Sequence, residues 1–163
     1  MLSGEDHQRI AAWKSISVEA VQRWDVHPET KDRQRFILAE RSRGRTLQSI
    51  AEELHRSRER IRMIELYARC DLQDEEDQLQ LWALAQIDSA TAQQRSIRHL
   101  ALPRRLVSRI ETALWKQEQP ETIFFLCTLT TQDLLRMHGV GRKGVQLLID
   151  TLARYGWRLK EGS

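Results

Sequence analysis

The chain has 163 residues, 40% of them hydrophobic and 30% charged, with a net charge of +3; this is the composition of a folded protein with a heavily charged surface, and the length holds one medium domain or two small ones. No run approaches the roughly 20 apolar residues of a membrane span, residues 1–10 are too polar for a signal peptide, and Cys70 and Cys127 have no close partner in sequence, a pattern that fits a soluble cytoplasmic protein with reduced thiols. Three prolines and seven glycines leave few breakers, so an all-α fold is expected.

Residues 7–24 are predicted as a first helical stretch with Ile10, Trp13, Val18 and Val21 on its buried side. His27-Pro28 ends it, because the residue before a proline avoids the helical region. A second helix is expected over residues 31–39, closed by Arg43-Gly44-Arg45. Thr46 then offers an N-cap to a helix whose Leu47, Ile50, Ala51 and Leu54 follow the i, i+3, i+4, i+7 spacing of a core-facing stripe. After the polar break His55-Arg56, Ser57 caps a further helix that turns Ile61, Ile64 and Ala68 inward. Residues 72–87 read as a separate acidic helix, with Leu79, Trp82 and Leu84 available for packing. A polar break over residues 88–98 precedes a second helical unit from Leu102 onward.

Charge is segregated along this order. Residues 41–69 hold eight basic and four acidic residues, residues 71–88 six acidic and no basic, and residues 95–163 twelve basic and six acidic. Two basic blocks flanking an acidic connector suit a polyanion through counterion release, although a solvated basic helix face gives the same count. The expected organisation is two small helical domains, residues 1–70 and 99–163, joined by an acidic helical linker over residues 71–98.

Two short amphipathic helices joined by a few residues form the geometry that places the second helix in a major groove. On a helical wheel Glu59, Arg62, Met63 and Leu66 face outward, with Arg58 and Glu65 at the flank. A guanidinium bonds guanine O6 and N7 in a fork, and a carboxylate accepts from cytosine N4. Arg45, Arg56 and Arg60 are better placed to clamp phosphates and set register. The run Arg45-Thr46-Leu47, followed by Ser57-Arg58-Glu59-Arg60-Ile61-Arg62-Met63-Ile64-Glu65, resembles the fourth conserved region of primary bacterial sigma factors. The resemblance covers about residues 31–70. It implies a helix-turn-helix in which Thr46 and Ser57 open the two helices and Arg58, Glu59 and Arg62 read bases of an upstream promoter element. Met63 stands where that family usually has glutamine. Together with Leu66 it makes the outward face more apolar, suited either to thymine methyl groups or to a protein partner.

In the C-terminal unit, residues 130–157 read as two helices around Gly139-Val140-Gly141-Arg142-Lys143-Gly144. Glycines at 139 and 141 permit positive φ and a close backbone approach, and the next helix presents unpaired N–H groups to an anion beside Arg142 and Lys143. The same pair of glycines also serves as a plain helix C-cap and tight turn. Asp133-Leu134-Leu135, Val140-Gly141-Arg142-Lys143-Gly144 and Leu152-Ala153-Arg154-Tyr155-Gly156-Trp157 resemble the C-terminal domain of the bacterial RNA polymerase alpha subunit. That resemblance implies a helix-hairpin-helix gripping the minor groove through Gly141 and Lys143. Arg105, or in another alignment Arg109, would be the contributor from the preceding helix. Gly144 departs from that family's serine.

His7, His27, His55, His99 and His138 show no metal-ligand spacing, and no nucleophile–base pair or paired acids stand in a cleft-like context. No metal, no cofactor and no enzymatic activity are expected. The leading expectation is a sequence-specific regulator that binds double-stranded DNA and modulates RNA polymerase, with polymerase or its sigma factor as a partner. The alternatives are a protein that mimics polymerase-associated domains without reading DNA, and a nonspecific DNA-repair or recombination accessory.

Overall fold

The computed structural model describes residues 1–162, and side-chain caps set most of its helix boundaries. Ser3, Ser17 and Thr46 accept from backbone N–H groups at the starts of α1 (Gly4–Lys14), α2 (Val18–Val26) and α4 (Leu47–Glu53). Between the last two, α3 (Asp32–Ser42) begins where the Gln34 side chain accepts from the Lys31 N–H. Ser57 Oγ accepts from Arg60 N at 3.2 Å at the head of α5 (Arg58–Ile87). Asp88, Thr122 and Thr130 cap α6 (Ser89–Gln93), α8 (Ile123–Cys127) and α9 (Thr131–Arg136) in the same way. Pro103 and Gly141 precede α7 (Arg104–Lys116) and α10 (Arg142–Arg154) without a side-chain cap. Among the described residues the structure is all-helical, with a 3-10 turn at Ile97–His99 and one isolated bridge between Ser96 and Thr122. None of the described helices is long and apolar enough to cross a membrane.

The chain divides into two units, Met1–Asp77 and a second beginning at Gln78. In the first, Ile10, Val21, Trp24, Leu38, Ala68 and Leu72 form one buried cluster, and Ile37, Ile50, Ala51 and Ile61 form another. In the second, Leu106, Ile110 and Leu114 of α7 pack with Leu134, Leu148 and Leu152 of α9 and α10.

Three features depart from the sequence reading. The stretch expected as one helix over residues 7–24 is two, because Ser15 adopts the left-handed conformation at φ 55° and closes α1. Ser17 then restarts the chain, and Val18 lies 38% exposed where a buried residue was expected. Conversely, the two helices expected on either side of Arg69 are one continuous α5 of 30 residues; residues 69–72 contain neither glycine nor proline to interrupt the ladder. Finally, the acidic run is not a separate connector. Glu75 pairs with Arg23 at 3.2 Å, and the Glu76 carboxylate accepts from Ser17 N at 2.9 Å and Ser17 Oγ at 2.6 Å. Asp71 accepts from Gln34 Nε2 at 3.4 Å. The N-terminus of α2 is a favourable place for the Glu76 charge, since its free N–H groups and dipole attract an anion.

Fully buried Asp25 ties α1, α2 and α3 together. It accepts from Leu2 N at 3.0 Å and Arg35 Nε at 2.8 Å, and its other close contact is His7 Nε2 at 3.0 Å. Burial alone would push this carboxyl up, but the bonds from His7, Leu2 and Arg35 outweigh it and hold the group below the usual carboxylate range.

The hairpin between α9 and α10 corrects a second expectation about backbone conformation. Gly139 has φ +78°, and a Cβ there would meet Arg109 Cδ at 3.0 Å. Arg109 Nη1 donates to the Gly139 carbonyl at 2.7 Å. Gly141, expected to need positive φ, is extended at φ −95° and ψ 172°, with nothing within 4 Å of an added Cβ. The close approach belongs to Gly144, where a Cβ would come within 2.9 Å of Leu106 Cδ1. This packing of α7 on the first turn of α10 accounts for glycine at a position where serine was the expected residue.

Two stability measurements follow from these arrangements. Asp25→Ala should cost about 3 kcal/mol in urea denaturation at neutral pH, because it strands buried donors. A carboxyl lowered by folding contributes stability that is complete above its unfolded value of about 3.9 and is lost as pH falls through the folded value. The gap between parent and variant should therefore narrow on acidification below about pH 4. In the hairpin, Gly139→Ala should cost about 1–2 kcal/mol through left-handed strain, while Gly141→Ala should stay within about 0.5 kcal/mol of the parent.

Candidate nucleic-acid interface

α4, a four-residue turn and the start of α5 form the candidate interface. Thr46 Oγ1 accepts from Ser49 N at 3.1 Å and fixes the start of α4. Ile50 and Ala51 are buried and hold α4 against Ile37 and Ile61. At the other end, Arg56 N donates to Ala51 O at 2.9 Å and His55 N donates to Glu52 O at 3.2 Å. This is the double closure of a Schellman turn, and His55 takes its left-handed position at φ 49°. Histidine tolerates that conformation better than most residues other than glycine. The turn delivers the chain to Ser57, whose cap starts α5 one residue later.

Arg56, Ser57, Arg58, Glu59, Arg60 and Arg62 are all exposed around the head of α5. Glu59 and Arg62 are already paired through two bonds, Nε to Oε2 at 2.8 Å and Nη2 to Oε1 at 2.7 Å. The hydrogen bonds from Arg62 hold the Glu59 carboxyl low, so both partners are charged at neutral pH. Met63 is half-buried, while Leu66 and Tyr67 are 42% and 53% exposed on the same helix. Tyr67 adds to an apolar stripe that the sequence reading confined to Met63 and Leu66.

Arg45 occupies a different environment from the other arginines. Its guanidinium bonds Glu40 at 2.9 Å, Glu53 at 2.6 Å and Ser49 Oγ at 2.9 Å. It therefore joins α3 to α4 in addition to flanking the turn. Glu65, placed at the flank of the wheel, is buried at 4% exposure between Arg41 at 3.4 Å and Arg69 at 3.6 Å. The i, i+4 spacing of Glu65 and Arg69 was its only local signal; Arg41 lies on another helix.

In the second unit, Arg142 and Lys143 are exposed on the uncapped first turn of α10, behind Gly141. Arg105 is exposed on the first turn of α7. Arg109, the other candidate on that helix, is the one bonded to the hairpin through Gly139.

No curated protein and no solved structure matches the chain. Residues 31–74, which contain α3, α4, the turn and the first half of α5, match the protein family described as Sigma-70, region 4, and so form a DNA-binding helix-turn-helix of the transcription type.

Proposed function

We propose that this protein is a cytoplasmic, non-enzymatic transcription regulator that reads duplex DNA in the major groove and modulates RNA polymerase. The observation that carries the reading is the cluster of exposed Arg56, Arg58, Glu59, Arg60 and Arg62 at the capped head of α5, inside the segment that matches sigma region 4. Glu59 and Arg62 take the base-reading role because their side chains leave the helix away from Ile61 and Ala68, and exposed Arg58 joins them from the flank at the first turn. Arg56 and Arg60 take phosphates. Thr46 and Ser57 position the two helices.

The second unit is proposed as a helix-hairpin-helix related to the polymerase alpha C-terminal domain. Gly141, Arg142, Lys143 and Arg105 would contact the backbone across a minor groove. Exposed N–H groups and two cations at the start of a 13-residue helix support this. A second reading, docking on polymerase without reading DNA, is favoured by the exposed Leu66 and Tyr67 beside the basic cluster.

Selection of bound sequences from a random duplex pool, followed by gel shifts, separates these readings. Arg58→Ala and Arg62→Ala should each weaken the selected site by about 5- to 150-fold, with a much smaller effect on random duplex. Equal losses on both would reduce these arginines to phosphate clamps. Lys143→Ala should weaken both DNAs alike and lower the log affinity–log salt slope by about 1; an unchanged slope removes the second unit from the DNA contact. Failure of any duplex to bind at low salt leaves the polymerase-docking reading.

A further inference from the structure

The basic side of α5 continues beyond the residues assigned to base reading. Arg69 follows Arg62 by seven residues, close to two turns, so it leaves the helix on nearly the same side and about 10 Å farther along the axis. Its guanidinium lies 5.8 Å from the centroid of the Trp13 ring, that of Arg41 5.9 Å and the Lys14 ammonium 3.3 Å. Cations from α1, α3 and α5 thus gather at one ring, and Trp13 is itself packed against the first unit's core. The acid opposing them is Glu65, whose side chain is 6% exposed and stands 3.4 Å from Arg41 and 3.6 Å from Arg69. Three cations against one carboxylate leave two positive charges in excess. The ring face favours Lys14 as the ammonium. Arg69 is 49% exposed and Arg41 26%, with Lys14 also partly exposed, so the cluster is open to solvent.

We propose that Lys14, Arg41 and Arg69 form a clamp for one backbone phosphate of the bound duplex, at the lip of the major groove. The inference rests on the major-groove reading of α5. That groove is about 8.5 Å deep. With Arg62 at base edges on its floor, a side chain about 10 Å back along the helix stands level with the sugar–phosphate wall. A phosphodiester presents two free oxygens and one negative charge, which the excess charge of the cluster attracts. The planar Arg69 fork spends one nitrogen on Glu65 and keeps donors for phosphate oxygens. Lys14 adds a point charge whose remaining N–H groups close on the same phosphate. Arg41, the less exposed arginine, is engaged by Glu65 and the Arg45 carbonyl, so it holds the acid and contributes charge. Glu65, nearly buried and flanked by both arginines, is compensated before the phosphate arrives. Trp13 and Lys14 lie outside residues 31–74, so this contact is additional to the segment that matches sigma region 4.

The test uses the full chain and a duplex drawn from the selected pool, with binding followed by fluorescence anisotropy across a salt series. Lys14→Gln should lower the log affinity–log salt slope by about 0.9, the yield of one phosphate contact, and weaken binding about five- to ten-fold at about 0.1 M salt. The factor should be the same on random duplex, because a phosphate contact carries no sequence information. Lys14→Arg should restore most of the loss, and Arg69→Gln should lose at least as much as Lys14→Gln. A scan of single uncharged methylphosphonate linkages then locates the contact: one linkage should cost the parent about the same factor and cost Lys14→Gln nothing further. Runs with and without inorganic phosphate at equal ionic strength should show the same gap between parent and Lys14→Gln. A gap that closes in phosphate assigns the site to the free ion and overturns the proposal. An unchanged slope in Lys14→Gln, or losses that add at every linkage, overturns it alone, and Arg62→Ala then still reports on the major-groove reading. If the parent binds no duplex, both fall.

Discussion

The position of the helix-turn-helix depends on one carboxylate, that of Glu40. Glu40 is buried at the C-terminal end of α3, where it pairs with Arg43 and, at 2.9 Å, with Arg45. Arg43 reaches on to Asp6 of α1 at 2.7 Å, and Arg45 to Ser49 and Glu53 of α4. A continuous chain of opposite charges thus runs from the N-terminal helix to the first helix of the DNA-binding pair. The hydrogen bond from Arg45 is the main reason that the Glu40 carboxyl is held low, which keeps the chain charged at neutral pH. α4 has only seven residues, too few to be helical by itself. Its buried apolar anchors are Ile50 and Ala51 against Ile37 and Ile61, with Leu47 and Leu54 partly buried beside them. Hydrophobic contact fixes which face of α4 is inside, and the Glu40 network adds directional restraint.

This network also explains why arginine identity was a poor guide to arginine role. Arg45, Arg56, Arg58, Arg60 and Arg62 look equivalent in a basic run, yet Arg45 is bonded on three sides while Arg56, Arg58 and Arg60 stand exposed. What separates them is Glu40, an acid on the preceding helix, and no spacing rule links the two. Features coded locally were legible: Thr46 and Ser57 as caps, and Ile50, Ala51 and Ile61 as the inward stripe. The hairpin glycines were half legible. Their presence signals a tight turn, but which of them takes positive φ depends on where Arg109 and Leu106 of α7 press against the loop. The burial of Glu65 was not legible, because its partner Arg41 comes from a helix distant in sequence.

The acidic run shows the same limit from the other side. Six carboxylates without a cation suggest a solvated connector when counted along the chain. In the fold, Glu75 and Glu76 meet Arg23 and the capped start of α2, and Asp71 meets Gln34. Unpaired charge in sequence is therefore not unpaired charge in space. Because Leu72 is buried beside Trp24 and Leu38 while these acids hold α2, the middle of α5 belongs to the first unit's core. That gives the recognition segment a rigid base. Its first turns carry the polar face, and the turns that follow supply Ala68 and Leu72 to the interior.

Preorganisation has a further consequence at the exposed head of α5. On the major-groove reading, Arg62 approaches DNA already bonded twice to Glu59. A bare arginine in that position would be drawn to any phosphate. A carboxylate alongside repels phosphate and compensates the guanidinium, so non-specific attraction at this point is weakened. A base step offering both a guanine acceptor edge for Arg62 and a cytosine amino group for Glu59 satisfies both partners together. A step offering only one leaves the other charge desolvated beside the half-buried Met63 and the exposed Leu66, where water is less able to screen it. The apolar neighbours thus sharpen the discrimination that the ion pair begins. The same pairing that lowers general affinity raises the difference between right and wrong sequences, and specificity is that difference.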